Sequence, residues 1–172
     1  MIEVMLLALA LHQPAIGSDA FNVGGELQGM YEEISQATLQ FVTGSDVDLF
    51  HDVLYTQDWV FVDAAGQKHT WSQMREREIQ ALSAPAFSSM NQSIQKLSLA
   101  PDGAATVLAN LTTVRAIVDA EGRYGRKGAS HTLTETTAFR DTWVKASGSW
   151  KLTSREQLGQ PTVAVDKPEW ST

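Results

Sequence analysis

The sequence predicts a single α+β domain in which three helices come first and a strongly curved, mixed or antiparallel sheet follows. Up to about residue 82, apolar residues recur at steps of three and four, which is the period of one helix face. From about residue 89 they alternate with polar residues, which is the period of a strand. The length of 172 residues is also ordinary for one domain.

The composition is that of a folded globular protein, with 43% hydrophobic and 19% charged residues. The chain has no cysteine, which excludes disulfides, thiolate metal ligands and a cysteine nucleophile. Its net charge of −7 repels phosphate backbones and anionic lipid. We therefore expect no nucleic-acid partner, and no membrane partner for the mature form.

The first 22 residues have two interpretations. Residues 4–11 form an apolar run that is far too short to span a bilayer, which needs about 20 residues, but suits the core of a signal peptide. Small residues that fit a cleavage site follow at 15–20, yet Glu3 stands where a signal peptide carries Lys or Arg. Either residues 1–20 direct export, to the periplasm or the medium, or they form an apolar segment that docks on a cytoplasmic domain.

The first helix is predicted after Gly24 and Gly25, which separate it from the preceding segment. It ends at Thr43 and Gly44, because glycine is a natural C-terminal stop. The residues that share its apolar face are Leu27, Met30, Tyr31, Ile34, Thr38 and Phe41.

The second helix is predicted to begin at Ser45 as its N-cap, with acidic residues in the first turn. An aromatic and β-branched strand follows at residues 59–63, and a turn around Gly66 comes after it. Thr70 and Gln73 then form a capping-box pattern that opens the third helix.

The second half predicts a meander of long strands. The four candidates are residues 94–99, 105–118, 130–145 and 150–158. Two of them run to about 14–16 residues against a usual five or six, so they must bend strongly. The domain then covers residues 23–160, and residues 161–172, with Pro161 and Pro168, form a tail along the surface.

This order of elements and several local motifs carry a resemblance to a known family. The motifs are the helix at 31–33, the segment LYTQDWVFVD at 54–63, Gly66, Thr70-Trp71, RDTWVK at 140–145 and GSWKL at 148–152. The chain resembles the nuclear transport factor 2-like superfamily, in particular its SnoaL-like branch, over about residues 25–160.

The resemblance implies a cystatin-like roll, in which the sheet curls around the helices as a cone with a pocket at its open end. It also implies a homodimer that forms through the outer sheet face. Members include ketosteroid isomerases, scytalone dehydratase, polyketide cyclases and binding domains without catalysis. The fold therefore does not identify one function.

The strand at 130–145 supplies the candidate catalytic residues. Alternation places on one face His131, Leu133, Glu135, Thr137, Phe139, Asp141 and Trp143. Because the large apolar groups concentrate there, we assign this face to the concave side. His131, Glu135 and Asp141 then point toward the pocket as candidate acids or bases, since desolvation suits a carboxyl group to proton transfer. The alternative is a shift of one residue, which turns the whole set to solvent.

A second set of residues is predicted to bind a ligand. Its members are Tyr31, Trp59, Phe61, Trp71, Met74, Glu78, Phe139 and Trp143. Tyr31 is placed to donate a hydrogen bond to a ligand carbonyl, although its helical spacing equally suits plain core packing. Glu78 is either a pocket base or a boundary residue paired with Arg75. Asp63 is interpreted as shaping the turn and His69 as an exposed loop residue.

Three functions remain open at this stage. The leading prediction is a domain that binds a small apolar or amphipathic molecule and needs no cofactor or metal, because no metal-site spacing, phosphate loop or dinucleotide fingerprint occurs. The first alternative is a cofactor-free isomerase, dehydratase or cyclase that transfers a proton through a carboxylate or histidine. The second is a structural dimerisation domain whose pocket is filled. Pocket volume and a desolvated carboxyl group distinguish the three.

Overall fold

The structure is a computed structural model and describes residues 16–82 and 87–166. These residues form three helices, α1 (Ile16–Leu39), α2 (Gly44–Leu54) and α3 (Trp71–Ala81). The strands are β1 (Tyr55–Val62), β2 (Lys68–Thr70), β3 (Ser89–Leu99), β4 (Ala105–Val118), β5 (Ser130–Ala146), β6 (Ser149–Gln157) and β7 (Thr162–Val165). The α+β prediction is confirmed, because three helices pack with one curled, mixed sheet.

Helix α1 is longer than predicted, because it continues through Gly24 and Gly25 instead of beginning after them. A Cβ atom on Gly24 would lie 3.6 Å from a methyl group of Leu97 on β3, so the helix lies close to the sheet at this point. Gln28 strengthens the contact: its amide donates to the Gln92 carbonyl at 3.1 Å and accepts from the Ile94 N–H at 3.2 Å. Tertiary packing of this kind outweighs the low helix propensity of glycine.

The helix caps follow from local side chains. Thr43, not the predicted Ser45, is the N-cap of α2, because its hydroxyl accepts from the Asp46 N–H while the Asp46 carboxylate accepts from the Thr43 N–H at 2.8 Å. The capping box predicted for α3 is present, with the Thr70 N–H donating to Gln73 Oε1 at 2.9 Å. These caps satisfy backbone donors that a helix leaves unpaired at its first turn.

The sheet has the strand order β2-β1-β6-β5-β4-β3. Strand β1 runs parallel to β6, and the other neighbouring strands are antiparallel. Strand β4 has the predicted bounds, whereas β3 begins five residues earlier than predicted. The segment expected to be a surface tail contributes β7, which pairs with residues 133–136 of β5.

A β-bulge interrupts the pairing of β5 with β6. Trp143 lies opposite Leu152 while Thr142 lies opposite Ser154, so Thr153 is the extra residue. Before the bulge the inward residues of β6 have even numbers, as in the buried Leu152. After it they have odd numbers, so Arg155 comes to lie opposite Asp141 on the inner face.

The core lies between α1 and the concave face of the sheet. Its fully buried residues include Leu27 and Tyr31 of α1, Val107 of β4, Trp143 of β5 and Leu152 of β6. Residues 16–22, which the sequence assigns to a possible signal peptide, belong to α1, and residues 1–15 of that segment lie outside the described residues. Within the described part of the chain, no helix is both long and apolar enough to cross a membrane.

Candidate functional site

A cavity of about 360 Å³ opens between the three helices and the inner face of the sheet. Each helix and each of β1, β3, β4, β5 and β6 contributes residues to its walls. The lining residues are Ile34, Thr38, Phe41, Val47, Phe50, Tyr55, Trp59, Phe61, Trp71, Met74, Glu78, Phe87, Met90, Gln92, Leu111, Thr113, Glu135, Thr137, Phe139, Arg155, Gln157 and Pro161. Apolar walls with a few polar groups are the usual make-up of a small-molecule site.

Aromatic rings from β1 and α3 form one wall. Tyr55 stacks on Trp59 with ring centroids 4.7 Å apart, and Phe61 follows on the same strand face. The Trp71 ring meets Trp59 at 76° with centroids 6.1 Å apart, so the two indoles form a corner. His51 stacks on Trp71 at 4.0 Å. Such ring pairs hold one another in fixed orientations and make the wall rigid.

Arg155 lies at the base of the cavity and is held by Asp141. Its Nε donates to Asp141 Oδ1 at 2.9 Å and its Nη2 to Oδ2 at 2.7 Å, which is the two-pronged pairing that guanidinium favours. Nη2 also donates to Gln92 Oε1 at 2.9 Å, and the guanidinium lies 4.8 Å from the centroid of the Phe139 ring. These contacts fix the position of the one cationic side chain among the described lining residues.

The same carboxylate binds two residues of the core. The Tyr31 hydroxyl donates to Asp141 Oδ2 at 2.6 Å, and the Trp143 indole N–H donates to the Tyr31 oxygen at 3.1 Å. Burial raises the pKa of Tyr31 far above its ordinary value, and the charge of Asp141 raises it further, so the phenol stays protonated. Burial lowers the pKa of Arg155, but Asp141 outweighs this and the net pKa is raised, so the guanidinium stays charged.

Glu78 of α3 reaches the cavity with its carboxyl group. The cavity walls desolvate it and raise its pKa, while the charge of Arg155 acts in the opposite direction. The side chain is still exposed to solvent. The pairing with Arg75 that the sequence offered as an alternative does not form, because Arg75 binds Asp48 through two hydrogen bonds of 2.5 and 2.8 Å. A carboxyl group of this kind suits either proton transfer or binding of a cation.

Trp59 contributes an unused hydrogen-bond donor. Its side chain is only 5% exposed, and its indole N–H has no partner within the described residues. A buried N–H without a partner costs stability, so such groups are rare in native proteins. The other two buried tryptophans are satisfied, Trp143 by Tyr31 and Trp150 by Glu26 at 2.7 Å.

Six of the eight residues predicted to bind a ligand line the cavity. They are Trp59, Phe61, Trp71, Met74, Glu78 and Phe139. The other two, Tyr31 and Trp143, are fully buried in the core and bonded to each other and to Asp141, so they do not line it. The proposed donation by Tyr31 to a ligand carbonyl does not fit this position, because its hydroxyl already donates to Asp141.

The three predicted acid–base residues are not brought together. Glu135 lines the cavity, and Asp141 lies behind Arg155, fully buried. His131 is buried at the far end of β5, where its Nδ1 lies 3.3 Å from the Asp166 carbonyl and its ring lies 6.2 Å from that of Tyr124. All three do share the inner face of β5, in the alternation that the sequence predicts.

The turn between β1 and β2 is built by Asp63. Its carboxylate accepts from the backbone N–H groups of Ala65 and Gln67 and lies 2.8 Å from His69 Nε2, and the hydrogen bond from His69 lowers the pKa of Asp63. His69 is therefore buried, at 7% exposure, and not the exposed loop residue that the sequence predicts. The shaping role predicted for Asp63 is observed, and neither residue lines the cavity.

Arg155 is the main site residue that sequence reasoning missed. Simple alternation along β6 from the inward Trp150 places residue 155 on the outer face, and only the bulge at Thr153 reverses this. The cross-strand position of Arg155 opposite Asp141 is the feature that identifies it.

Among residues 16–82 and 87–166, no three His, Asp or Glu side chains gather closely enough to hold a metal ion.

Known structures share this fold at low sequence identity. A protein of unknown function from Mycobacterium tuberculosis has a TM-score of 0.60 at 12% identity, over 88% of this chain and 76% of that protein. A conserved protein from Planctomyces limnophilus has a TM-score of 0.57 at 14% identity, over 84% and 99%. A nuclear transport factor 2-like superfamily protein from Salmonella enterica has a TM-score of 0.50 at 14% identity, over 81% and 89%.

These likenesses show that the chain has the nuclear transport factor 2-like fold, as the sequence resemblance predicts. At identities of 12–14% the likeness extends to the fold alone. No protein-family model and no curated protein matches the sequence.

Proposed function

We propose that this protein binds a small, largely apolar molecule in the cavity between its helices and sheet. The observation that carries the proposal is the aromatic wall of Tyr55, Trp59 and Trp71 on a cavity of about 360 Å³. Rings at fixed angles offer a ligand apolar area without the entropy cost of ordering the wall.

The size of the cavity supports binding over a purely structural role. About 360 Å³ lies within the range of small-molecule sites, roughly 300–1,000 Å³. Its floor is rigid, because Arg155 is held by Asp141 and Gln92 and by the Phe139 ring. A preformed site loses less entropy on binding than one that must be ordered by its ligand.

Native mass spectrometry of the purified protein, followed by the same sample denatured, tests for a retained ligand. We expect a mass excess that disappears on denaturation. The same spectrum reports the oligomeric state, for which the sequence predicts a homodimer. A clean apo mass together with no uptake of an added apolar probe would contradict the proposal.

Uptake of the neutral dye Nile red supplies the second test, with a matched pair of variants. Phe61 lines the cavity, whereas Phe21 is 82% exposed on α1. We expect Phe61→Ala to weaken dye binding and Phe21→Ala to leave it unchanged, because both remove the same ring but only one removes it from the cavity. Equal effects of the two variants would place dye binding elsewhere on the protein.

A second candidate function is proton transfer by Glu78, within the isomerase, dehydratase or cyclase class that the sequence resemblance implies. What favours it is the position of this carboxyl group at an apolar cavity wall, which raises its pKa, since a carboxylate with a raised pKa is a stronger base. The base-catalysed ring opening of nitrobenzisoxazole, followed by absorbance, reports such a base. We expect saturable turnover that Glu78→Gln abolishes and Glu135→Gln retains. Turnover that survives Glu78→Gln would exclude this role.

We also propose that the chain belongs to the SnoaL-like branch of the superfamily. The support is the set of sequence motifs at 54–63, 140–145 and 148–152. In this structure those motifs supply Trp59 and Phe61 to the cavity, and Asp141 and Leu152 to the core behind it.

A further inference from the structure

The charges around the cavity carry an inference about the class of its ligand, which rests on the proposed binding function. Three side chains of the lining are charged at neutral pH: Arg155 is positive, and Glu78 and Glu135 are negative. Whether each of these side chains is already paired with another residue determines which charge is available to a ligand. A cavity whose positive group is already paired and whose negative groups are free attracts cations.

The positive group is paired. Arg155 uses both Nε and Nη2 on the Asp141 carboxylate, and Asp141 is fully buried behind it. Asp141 therefore offsets much of the positive charge that Arg155 presents to a bound molecule. Nη2 is further committed to Gln92, and the guanidinium lies against the ring of Phe139.

The negative groups are free. Neither Glu78 nor Glu135 forms a hydrogen bond or salt bridge with another residue of the described ranges. Arg115 is a candidate partner for Glu135, because it lies on the neighbouring strand two residues from Thr113, which pairs with Glu135. Its guanidinium instead lies over the Phe87 ring, 6.0 Å from the centroid.

The aromatic wall adds to the same preference. The faces of tryptophan and tyrosine rings carry negative partial charge and attract ammonium groups, with tryptophan the strongest. Trp59 and Trp71 meet as a corner beside Tyr55, and the whole protein carries a net charge of −7, which concentrates cations near its surface.

We propose that the cavity selects an organic amine: a molecule with an apolar body that packs against the aromatic wall, and a protonated nitrogen that pairs with Glu78 or Glu135. An anionic ligand of the same shape is disfavoured, because Arg155 is already paired and two unpaired carboxylates face it.

Three probes of equal shape and different charge test the proposal by titration calorimetry at low salt. They are phenylbutylamine, phenylbutanol and phenylbutyrate, which are cationic, neutral and anionic at neutral pH. We expect the amine to bind about tenfold more tightly than the alcohol, and the carboxylate to bind more weakly than both. Added salt is expected to weaken binding of the amine more than binding of the alcohol.

Charge-removing variants locate the effect. The double variant Glu78→Gln with Glu135→Gln is expected to bring the affinity for the amine down to the affinity that the same variant has for the alcohol. Glu33→Gln, which removes an exposed charge on α1, is the matched control and is expected to change neither affinity.

The outcomes separate this inference from the proposed function. If the alcohol binds, Phe61→Ala weakens it, and the amine binds no more tightly, the cavity is a binding site but the amine class is wrong. If the amine preference survives the double variant, the carboxylates do not supply it and the inference is likewise overturned. If none of the three probes binds the wild-type protein, both the binding function and the inference fail.

Discussion

The Tyr31 hydroxyl donates a 2.6 Å hydrogen bond to Asp141 Oδ2, and these two residues are 110 positions apart in the chain. The same carboxylate accepts two hydrogen bonds from Arg155 on the neighbouring strand. One buried acidic group therefore joins α1, β5 and β6. The Asp141 carboxylate is hydrogen-bonded through both of its oxygens. Its role in this structure is therefore to hold Arg155 and Tyr31 in place beside the cavity.

Asp141→Asn is expected to destabilise the protein strongly. The variant leaves the Arg155 guanidinium without its charged partner in a buried setting, which typically costs about 3–5 kcal/mol in free energy of unfolding. Tyr31→Phe removes only one hydroxyl and is expected to cost about 1–3 kcal/mol. Urea denaturation followed by circular dichroism measures both.

The neighbouring pair of Arg140 and Glu156 supplies the control for that experiment. Their 2.6 Å salt bridge is exposed on the outer face of the same two strands, so Arg140→Gln is expected to cost about 0–1 kcal/mol. If Asp141→Asn costs no more than this variant, the buried network does not have the structural role assigned to it.

Trp59→Phe is expected to change the stability of the protein little. The variant keeps an aromatic ring in the wall but removes a buried N–H that has no partner, a group whose burial costs about 1–3 kcal/mol. Trp150→Phe makes the same change in size but also breaks the 2.7 Å hydrogen bond to Glu26, so it is expected to be the less stable variant. Thermal unfolding of the two variants compares them, and a larger loss at Trp59 would contradict the assignment of its N–H.

The raised pKa of Glu78 predicts that this residue makes a pH-dependent contribution to the stability of the protein. Desolvation raises the pKa of this group in the folded protein above its value in the unfolded chain, against the opposing charge of Arg155. Between the two pKa values the folded state holds more protons, so the free energy of unfolding falls as the pH rises through that interval. Glu78→Gln has no charge to desolvate, and we expect it to be more stable than the wild type near pH 7.5 and equal to it near pH 4.

Melting temperatures of the two proteins at both pH values measure this difference. Glu76→Gln on the same helix is the control, because its side chain does not line the cavity. A difference between Glu78→Gln and the wild type that does not change with pH would show that the carboxyl group is not desolvated in the cavity.

Thr43→Ala is expected to cost about 1 kcal/mol in free energy of unfolding, because it removes the N-cap of α2. Ser45→Ala is the sharp comparison, since the sequence alone favours Ser45 as the cap while the structure places it inside the helix. Chemical denaturation is expected to show little change for Ser45→Ala. A larger loss of stability in Ser45→Ala than in Thr43→Ala would instead support Ser45 as the N-cap, as the sequence alone predicts.

The regular parts of this fold could be predicted from the sequence because their patterns are uninterrupted. The buried residues of β5 alternate with less buried ones from Thr137 to Trp143, so the inward face that carries Phe139 and Asp141 was predictable from side-chain size. The capping box of Thr70 and Gln73 depends on residues only three apart and was equally predictable. Both features are local, or repeat with a fixed period.

The remaining features depend on contacts that no local pattern encodes. Arg155 lies inside because one extra residue at Thr153 reverses the alternation of β6, and alternation alone assigns it to the outer face. Helix α1 passes through Gly24 and Gly25 because the sheet supports it, against the usual tendency of glycine to end helices. His131 shares a face with Asp141 but lies at the far end of a 17-residue strand, so membership of one face did not imply membership of one site.

The pairing of β7 with β5 has a consequence for self-association. Strand β6 covers β5 only from Phe139 onward, so without β7 the backbone groups of residues 133–136 would be an open sheet edge. Gln28 acts similarly at the other end of the sheet, where its side chain occupies backbone groups of β3. Open edges are templates on which another chain can add a strand and begin aggregation. The short C-terminal strand and one glutamine thus protect a strongly curved sheet from growing into a larger one.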